Sequence, residues 1–187
     1  MNQLTQVLHS LLDILDRRQI EYALVGGLAV QFYGIPRPTF DIDLQMAISE
    51  ETLPGVLQEL ATQDYEIPEP YLGGWMDRVA EMPVIKLKQY VEGNGIDVDL
   101  FVAERPIQFE LIRRRRRESA EGRQLWLATA EDIILLKLIA HRPRDRSDVS
   151  GIIFMEGQLD ETYLRHWAAE LQVTDRLEEA VRDAASF

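Results

Sequence analysis

Two short runs constrain this chain more than anything else in it: Thr39-Phe40-Asp41-Ile42-Asp43-Leu44 and Ile96-Asp97-Val98-Asp99-Leu100-Phe101. Both alternate polar with apolar residues, the period of a half-buried strand. A strand points residues i and i+2 to one face, so Asp41 and Asp43 project together. Arg37 and Thr39 share their parity, while Phe40, Ile42 and Leu44 take the other. One face is built for charge and the other for a core. Neighbouring carboxylates repel, and a fold tolerates them best with a cation between them.

Just upstream lies Tyr22-Ala23-Leu24-Val25-Gly26-Gly27-Leu28-Ala29-Val30. Tyr22 to Val25 reads as a short buried strand and Leu28 to Tyr33 as a short helix. Gly26-Gly27 between them permits backbone angles closed to other residues and lets a ligand approach the main chain. Strand, glycine turn and helix N-terminus together present backbone N–H groups to an anion. A glycine pair alone is an ordinary turn. Followed closely by paired carboxylates, it points to a phosphate-bearing substrate and a cation.

Gly26-Gly27-Leu28-Ala29-Val30, Tyr33-Gly34, Arg37, Thr39 and Asp41-Ile42-Asp43-Leu44 resemble the signature of the nucleotidyltransferase superfamily, closest to its AbiEii-like and minimal nucleotidyltransferase branch. Asp99, before Leu100-Phe101-Val102, matches the third carboxylate; Asp97 shares its face and is kept as a supporting group. The stretch Ala128 to Val149, with Glu131-Asp132, Lys137, Arg144-Asp145 and Asp148, resembles the same branch. One departure is Leu28, where many members of the superfamily carry serine after the glycines.

The resemblance implies an α/β fold with a mixed sheet of the polymerase β type and a C-terminal helical region. It implies transfer of a nucleoside monophosphate from a nucleoside triphosphate, ATP or another, to an acceptor hydroxyl on tRNA or protein. Asp41, Asp43 and Asp99 would bind two Mg2+ ions, or Mn2+, and carry the catalysis. Gly26, Gly27, Arg37, Thr39 and Lys137 would bind the nucleotide. A cognate antitoxin or other partner protein and a phage-defence setting belong to that branch. The alternative is a non-catalytic nucleotide- or partner-binding module on the same fold, and a small-molecule acceptor such as an antibiotic is a further option.

The chain has 187 residues, 46% of them hydrophobic, enough for one compact domain. Residues 1–127 read as the catalytic core and 128–187 as helices packed on it, within one domain or as two. The absence of cysteine excludes disulfides and thiolate chemistry. The N-terminus lacks the apolar core of a signal peptide, and no run reaches the roughly 18 apolar residues of a membrane span, so a soluble cytoplasmic protein is expected. A net charge of −12 argues against broad nucleic-acid binding through the overall field.

Further along, helical spacing predicts a helix near Asn2 to Arg18, and Ser49 is placed to cap another running to about Gln63. Asp64 to Glu81, with its prolines and glycines, reads as a loop. Val84 to Val91 and Ile96 to Val102 read as a hairpin about Gly93-Asn94-Gly95. Pro106 opens a helix through about Arg116, Gln124 to Leu127 is a strand, and Thr129 caps a helix over Ala130 to Ala140. Helices follow from about Asp145, where Asp145 and Asp148 suit caps or ion pairs. Lys137 lies on an apolar helix face and is read either as a snorkelling side chain or as a triphosphate contact. The five arginines Arg113 to Arg117 would wrap around a helix; they suit a solvated helix end or, alternatively, a phosphate-binding patch. Trp75 is read as a packing residue, with stacking on a base as the other reading.

Overall fold

The computed structural model describes residues 2–120 and 122–187. In chain order the elements are α1 (Gln3–Arg17), β1 (Glu21–Val25), α2 (Gly26–Tyr33), β2 (Asp41–Ala47), α3 (Leu53–Thr62), β3 (Tyr65–Glu66), α4 (Glu69–Leu72), β4 (Asp77–Val79), β5 (Met82–Val91), β6 (Asn94–Val102), α5 (Pro106–Arg114), β7 (Arg116–Ala120), β8 (Arg123–Leu127), α6 (Ala130–Ala140), α7 (Pro143–Met155), α8 (Glu161–Glu170) and α9 (Thr174–Ala184). The strands form one mixed sheet in the order β3-β5-β6-β2-β1-β8-β7, with β4 on the outer side of β5. No helix among the described residues is long and apolar enough to cross a membrane.

Strand parity sorts the sheet into two faces. Leu24 pairs with Leu44, Ile42 with Val98, Leu44 with Leu100 and Ile85 with Leu100, so these side chains share one face. All of them are buried, and α1 and α3 pack over that side. α1 starts on the Asn2 side chain, which accepts the Thr5 N–H at 2.8 Å, and buries Val7, Leu8, Leu11, Leu12, Ile14 and Leu15. The other face carries Asp41, Asp43, Asp97 and Asp99. There Gln45 meets Gln108 of α5 at 3.1 Å, and Gln108 also accepts the Glu104 and Arg105 N–H groups, each at 3.0 Å. This buried amide leaves no polar group of its own unpaired and fixes α5 across β2.

Four local expectations are corrected. The hairpin turn is Glu92-Gly93, both at positive φ, so Asn94 and Gly95 already pair with Val91 and Tyr90. Asp64 to Glu81 is not a bare loop but contains β3, α4 and β4, closed by Ala80-Glu81 at positive φ between the paired Val79 and Met82. Thr52 rather than Ser49 is the N-cap of α3; Ser49 bonds back to the Thr52 N–H and sits one turn outside. The arginine run does not form one helix: α5 ends at Arg114, Arg115 is extended (φ −49, ψ 148), and Arg116-Arg117 begin the edge strand β7.

Within the run, Arg114 and Arg115 are drawn into the fold, while Arg113, Arg116 and Arg117 stay exposed. Arg113 pairs with Glu110 at 2.5 Å and Arg115 with Glu21 at 2.8 Å. Arg114 lies 3.4 Å from Glu131, 3.7 Å from Asp132 and 3.7 Å over the Tyr163 ring, tying α5 to α6 and α8. Arg115 and Arg117 stack on Trp126. The solvated helix end describes Arg113, whose side chain is 72% exposed in the last turn of α5, whereas Arg114 and Arg115 are tied into the fold by ion pairs.

Candidate active site

The charged face of β2 converges with the glycine turn. β1 ends at Val25, opposite Asp43, so Gly26 begins directly beside that carboxylate. Gly26 has φ +65, and a Cβ there would run into the carboxylate and Cβ of Asp43. A Cβ on Gly27 would meet the Thr39 hydroxyl. The chain therefore needs glycine at 26 on two counts, backbone angle and the nearness of Asp43. Gly26→Ala is expected to destabilise the protein by at least about 2 kcal/mol. Gly27→Ala, with a movable threonine as its neighbour, should cost less; urea unfolding of the two variants checks the order.

β2 and β6 run parallel, with Asp43 opposite Asp99 and Asp41 opposite Asp97. The third carboxylate expected at Asp99 thus stands next to Asp43, while Asp97 stands one step outward with its side chain 63% exposed. Thr39 donates to Asp41 at 2.5 Å. Across the β5 hairpin, Lys86 reaches Asp99 at 2.8 Å and Lys88 reaches Asp97 at 3.2 Å. Burial, with Asp41 and Asp99 adding like charge, pushes the Asp43 carboxyl from 3.8 up to about 6. The Gly27 N–H bond and the Arg142 charge pull it the other way without prevailing.

A cavity opens over this row. Val25, Gly26, Asp43, Asp99 and Lys86 supply its sheet side, Ile133, Leu136, Lys137 and Ala140 of α6 its helical side, and Arg142 its rim. α6 begins at the Thr129 hydroxyl, which accepts the Asp132 N–H at 3.3 Å, and it ends at His141, which takes the left-handed conformation. That break places Arg142 and Pro143 as the entry to α7.

Lys137 is buried, and its ammonium lies 2.6 Å from Asp148 and 3.1 Å from Asp145. Arg37 grips Asp148 with two bonds, of 2.7 and 2.9 Å. Asp145 also accepts the Arg142 backbone N–H at 2.9 Å and its Nε at 3.0 Å. Arg37 and Lys137, the two cations expected as phosphate contacts, are thus joined through Asp148. Burial works to raise the Asp148 and Asp145 carboxyls, but their cationic partners outweigh it and hold both below the usual carboxylate value.

Sequence reasoning passed over two residues at the cavity, Lys86 and Arg142. Burial works against the Arg142 charge, but Asp145 and then Asp43 and Asp41 outweigh it. Its position between a helix end and a helix-starting proline was the available signal. The donor set of three carboxylates, with no nitrogen or sulfur ligand, fits a hard divalent cation such as Mg2+. Asp41 is engaged by Thr39 and Asp99 by Lys86. Among the described residues no group of three or more His, Cys, Asp or Glu side chains is already gathered to hold a metal.

No family model matches the chain, and no curated protein does. Solved structures do. A nucleotidyltransferase-like antigenic protein from Paracoccidioides brasiliensis is 21% identical with a TM-score of 0.55, covering 97% of this chain and 93% of that one. ANT(2″)-Ia, solved with adenylyl-2″-tobramycin, is 14% identical with a TM-score of 0.59, covering 91% and 98%. The lincosamide antibiotic adenylyltransferase LnuA, solved with lincomycin, is 16% identical with a TM-score of 0.51, covering 78% and 93%. These likenesses, with the mixed sheet and its helices, show that the chain has the nucleotidyltransferase fold.

Proposed function

We propose that this protein is a metal-dependent nucleotidyltransferase that moves a nucleoside monophosphate from a nucleoside triphosphate, such as ATP, to an acceptor hydroxyl and releases pyrophosphate. One observation carries the reading: Asp41 and Asp43 on one strand face, Asp99 opposite Asp43 on the parallel neighbour, and Gly26 pressed against Asp43. Two divalent ions, when bound, would neutralise the α-phosphate and stabilise the attacking and leaving oxygens.

The chain's own residues supply the rest. Asp41 and Asp43 would hold both ions, and Asp99 would complete one ion site and take the acceptor proton. The backbone at Gly26 and Gly27 would face the β- and γ-phosphates. Arg142, already on the cavity rim, is a candidate triphosphate cation alongside Arg37 and Lys137. Those two are held by Asp148 and would act from that fixed position. Thr39 would orient Asp41.

For the acceptor, the sequence resemblance favours an RNA or protein hydroxyl, with a toxin–antitoxin or phage-defence setting and a partner protein. The two adenylyltransferases with bound antibiotics favour a small-molecule hydroxyl. A screen with Mg2+ and each α-labelled nucleoside triphosphate, against total RNA, cell lysate and aminoglycoside and lincosamide antibiotics, tests this. Label on one acceptor class supports transfer and names the class. Triphosphate binding with no label anywhere overturns it in favour of a non-catalytic binding module.

A further inference from the structure

We infer that Lys86 is a resident counter-cation of Asp99 which an arriving metal ion must displace. The inference rests on the metal-dependent reading above and extends it to a residue outside the family signature. Lys86, Asp99 and Asp43 stand in one row across β5, β6 and β2, because Lys86 pairs with Asp99 and Asp99 with Asp43 in consecutive registers. The ammonium lies 2.8 Å from Asp99 Oδ2 and lines the same cavity as Asp43, Gly26 and Arg142. It therefore occupies a carboxylate oxygen that a divalent ion would need.

Two features make this contact one that yields. Lys86 keeps 44% of its side chain exposed, so its flexible stem has solvent to move into. Half-exposed lysine–carboxylate pairs are weak and are screened by salt. By contrast Lys137, the other lysine at the cavity, is buried between two carboxylates and has nowhere to go. Lys86 thus balances Asp99 while no metal is bound and leaves when a stronger cation arrives. The site exchanges one cation for another instead of filling an empty position, which raises the metal concentration it needs.

The neighbouring row provides a built-in control. Lys88 is the same residue type on the same strand, paired with Asp97 rather than Asp99. Mn2+ titration of the purified full chain, followed calorimetrically, compares the wild type with Lys86→Met, Lys86→Gln and Lys88→Met. Both Lys86 variants are expected to bind Mn2+ about three- to tenfold more tightly, from lost competition and lost like charge. Lys88→Met should change the affinity by less than about twofold, although it alters net charge equally. Equal effects at both lysines, or weaker binding without Lys86, would overturn the inference and leave the metal site standing. No Mn2+ binding by the wild type would overturn both.

Discussion

Replacing Asp43 with asparagine is expected to abolish nucleotidyl transfer and, at pH 7, to make the metal-free protein more stable. The carboxyl is half-buried beside Asp41 and Asp99, and desolvation with their like charge pushes it from 3.8 up to about 6. Its folded form holds the proton more tightly than the unfolded chain does. The associated stability is fully present below pH 3.8 and is lost as pH rises through about 6. At pH 7 the ionised group therefore destabilises the fold, by about 3 kcal/mol at most for a shift of that size. Asparagine has the same shape, and its oxygen can still accept the Gly27 N–H. The expected gain is on the order of 1–3 kcal/mol in urea unfolding at pH 7, shrinking toward pH 4 as the wild-type carboxyl takes up its proton. Transfer should fall by at least about a thousandfold, since a carboxylate shared by both ion positions is gone. A variant less stable than the wild type at pH 7 would contradict the charge repulsion inferred at the site.

Asp148→Ala should do the opposite. Asp148 is buried between Lys137, equally buried, and Arg37, and it links β2's approach to α6 and α7. Alanine would leave Lys137 with Asp145 alone and Arg37 with no side-chain acceptor in this network. Removing one member of such a buried pair is expected to cost about 3–5 kcal/mol, where a surface pair would cost a fraction of one. Asp148→Asn keeps the shape and some hydrogen bonding and should fall between. The pH dependence has the reverse sign from Asp43. Because the cationic partners depress the folded value, the stability from Asp148 is present above the ordinary carboxylate value of 3.8 and lost as pH falls below it. Unfolding curves at pH 7 and pH 3 should show the Asp148→Ala deficit narrowing on the acid side. A deficit that stays constant would mean that the ion pairs are not what Asp148 contributes.

The carboxylate strands were legible because a period of two is hard to hide: Ile42, Leu44, Val98 and Leu100 are buried on the opposite face, and only Phe40, ahead of the start of β2 and 79% exposed, departs from the core face expected of it. Gly26-Gly27 was legible because strand, turn and helix followed one another in so few residues. Lys86 was lost to a turn misplaced by about one residue. Two glycines flank Asn94, and only a turn centred on Glu92-Gly93 puts Lys86 opposite Asp99. β7 was hidden because an edge strand of arginine, glutamate and serine has no apolar alternation to reveal it. The elements within Asp64 to Glu81 are short; Pro68 and Gly73-Gly74 sit between them, and Pro70 sits in the first turn of α4, where a proline does not break the helix. The Lys137–Asp148–Arg37 link joins residues far apart in the chain, and spacing along a sequence carries no sign of it.

The most direct measurement follows the two ends of the triphosphate. Wild type and Asp43→Asn would each be incubated with Mg2+, the acceptor found in the screen, and ATP labelled at either the α- or the γ-phosphate. A carboxylate-centred nucleotidyltransferase places the α-label on the acceptor and the γ-label in pyrophosphate, and Asp43→Asn does neither. Transfer of the γ-label to the acceptor, or α-label transfer undiminished in Asp43→Asn, would contradict the chemistry assigned to Asp41, Asp43 and Asp99.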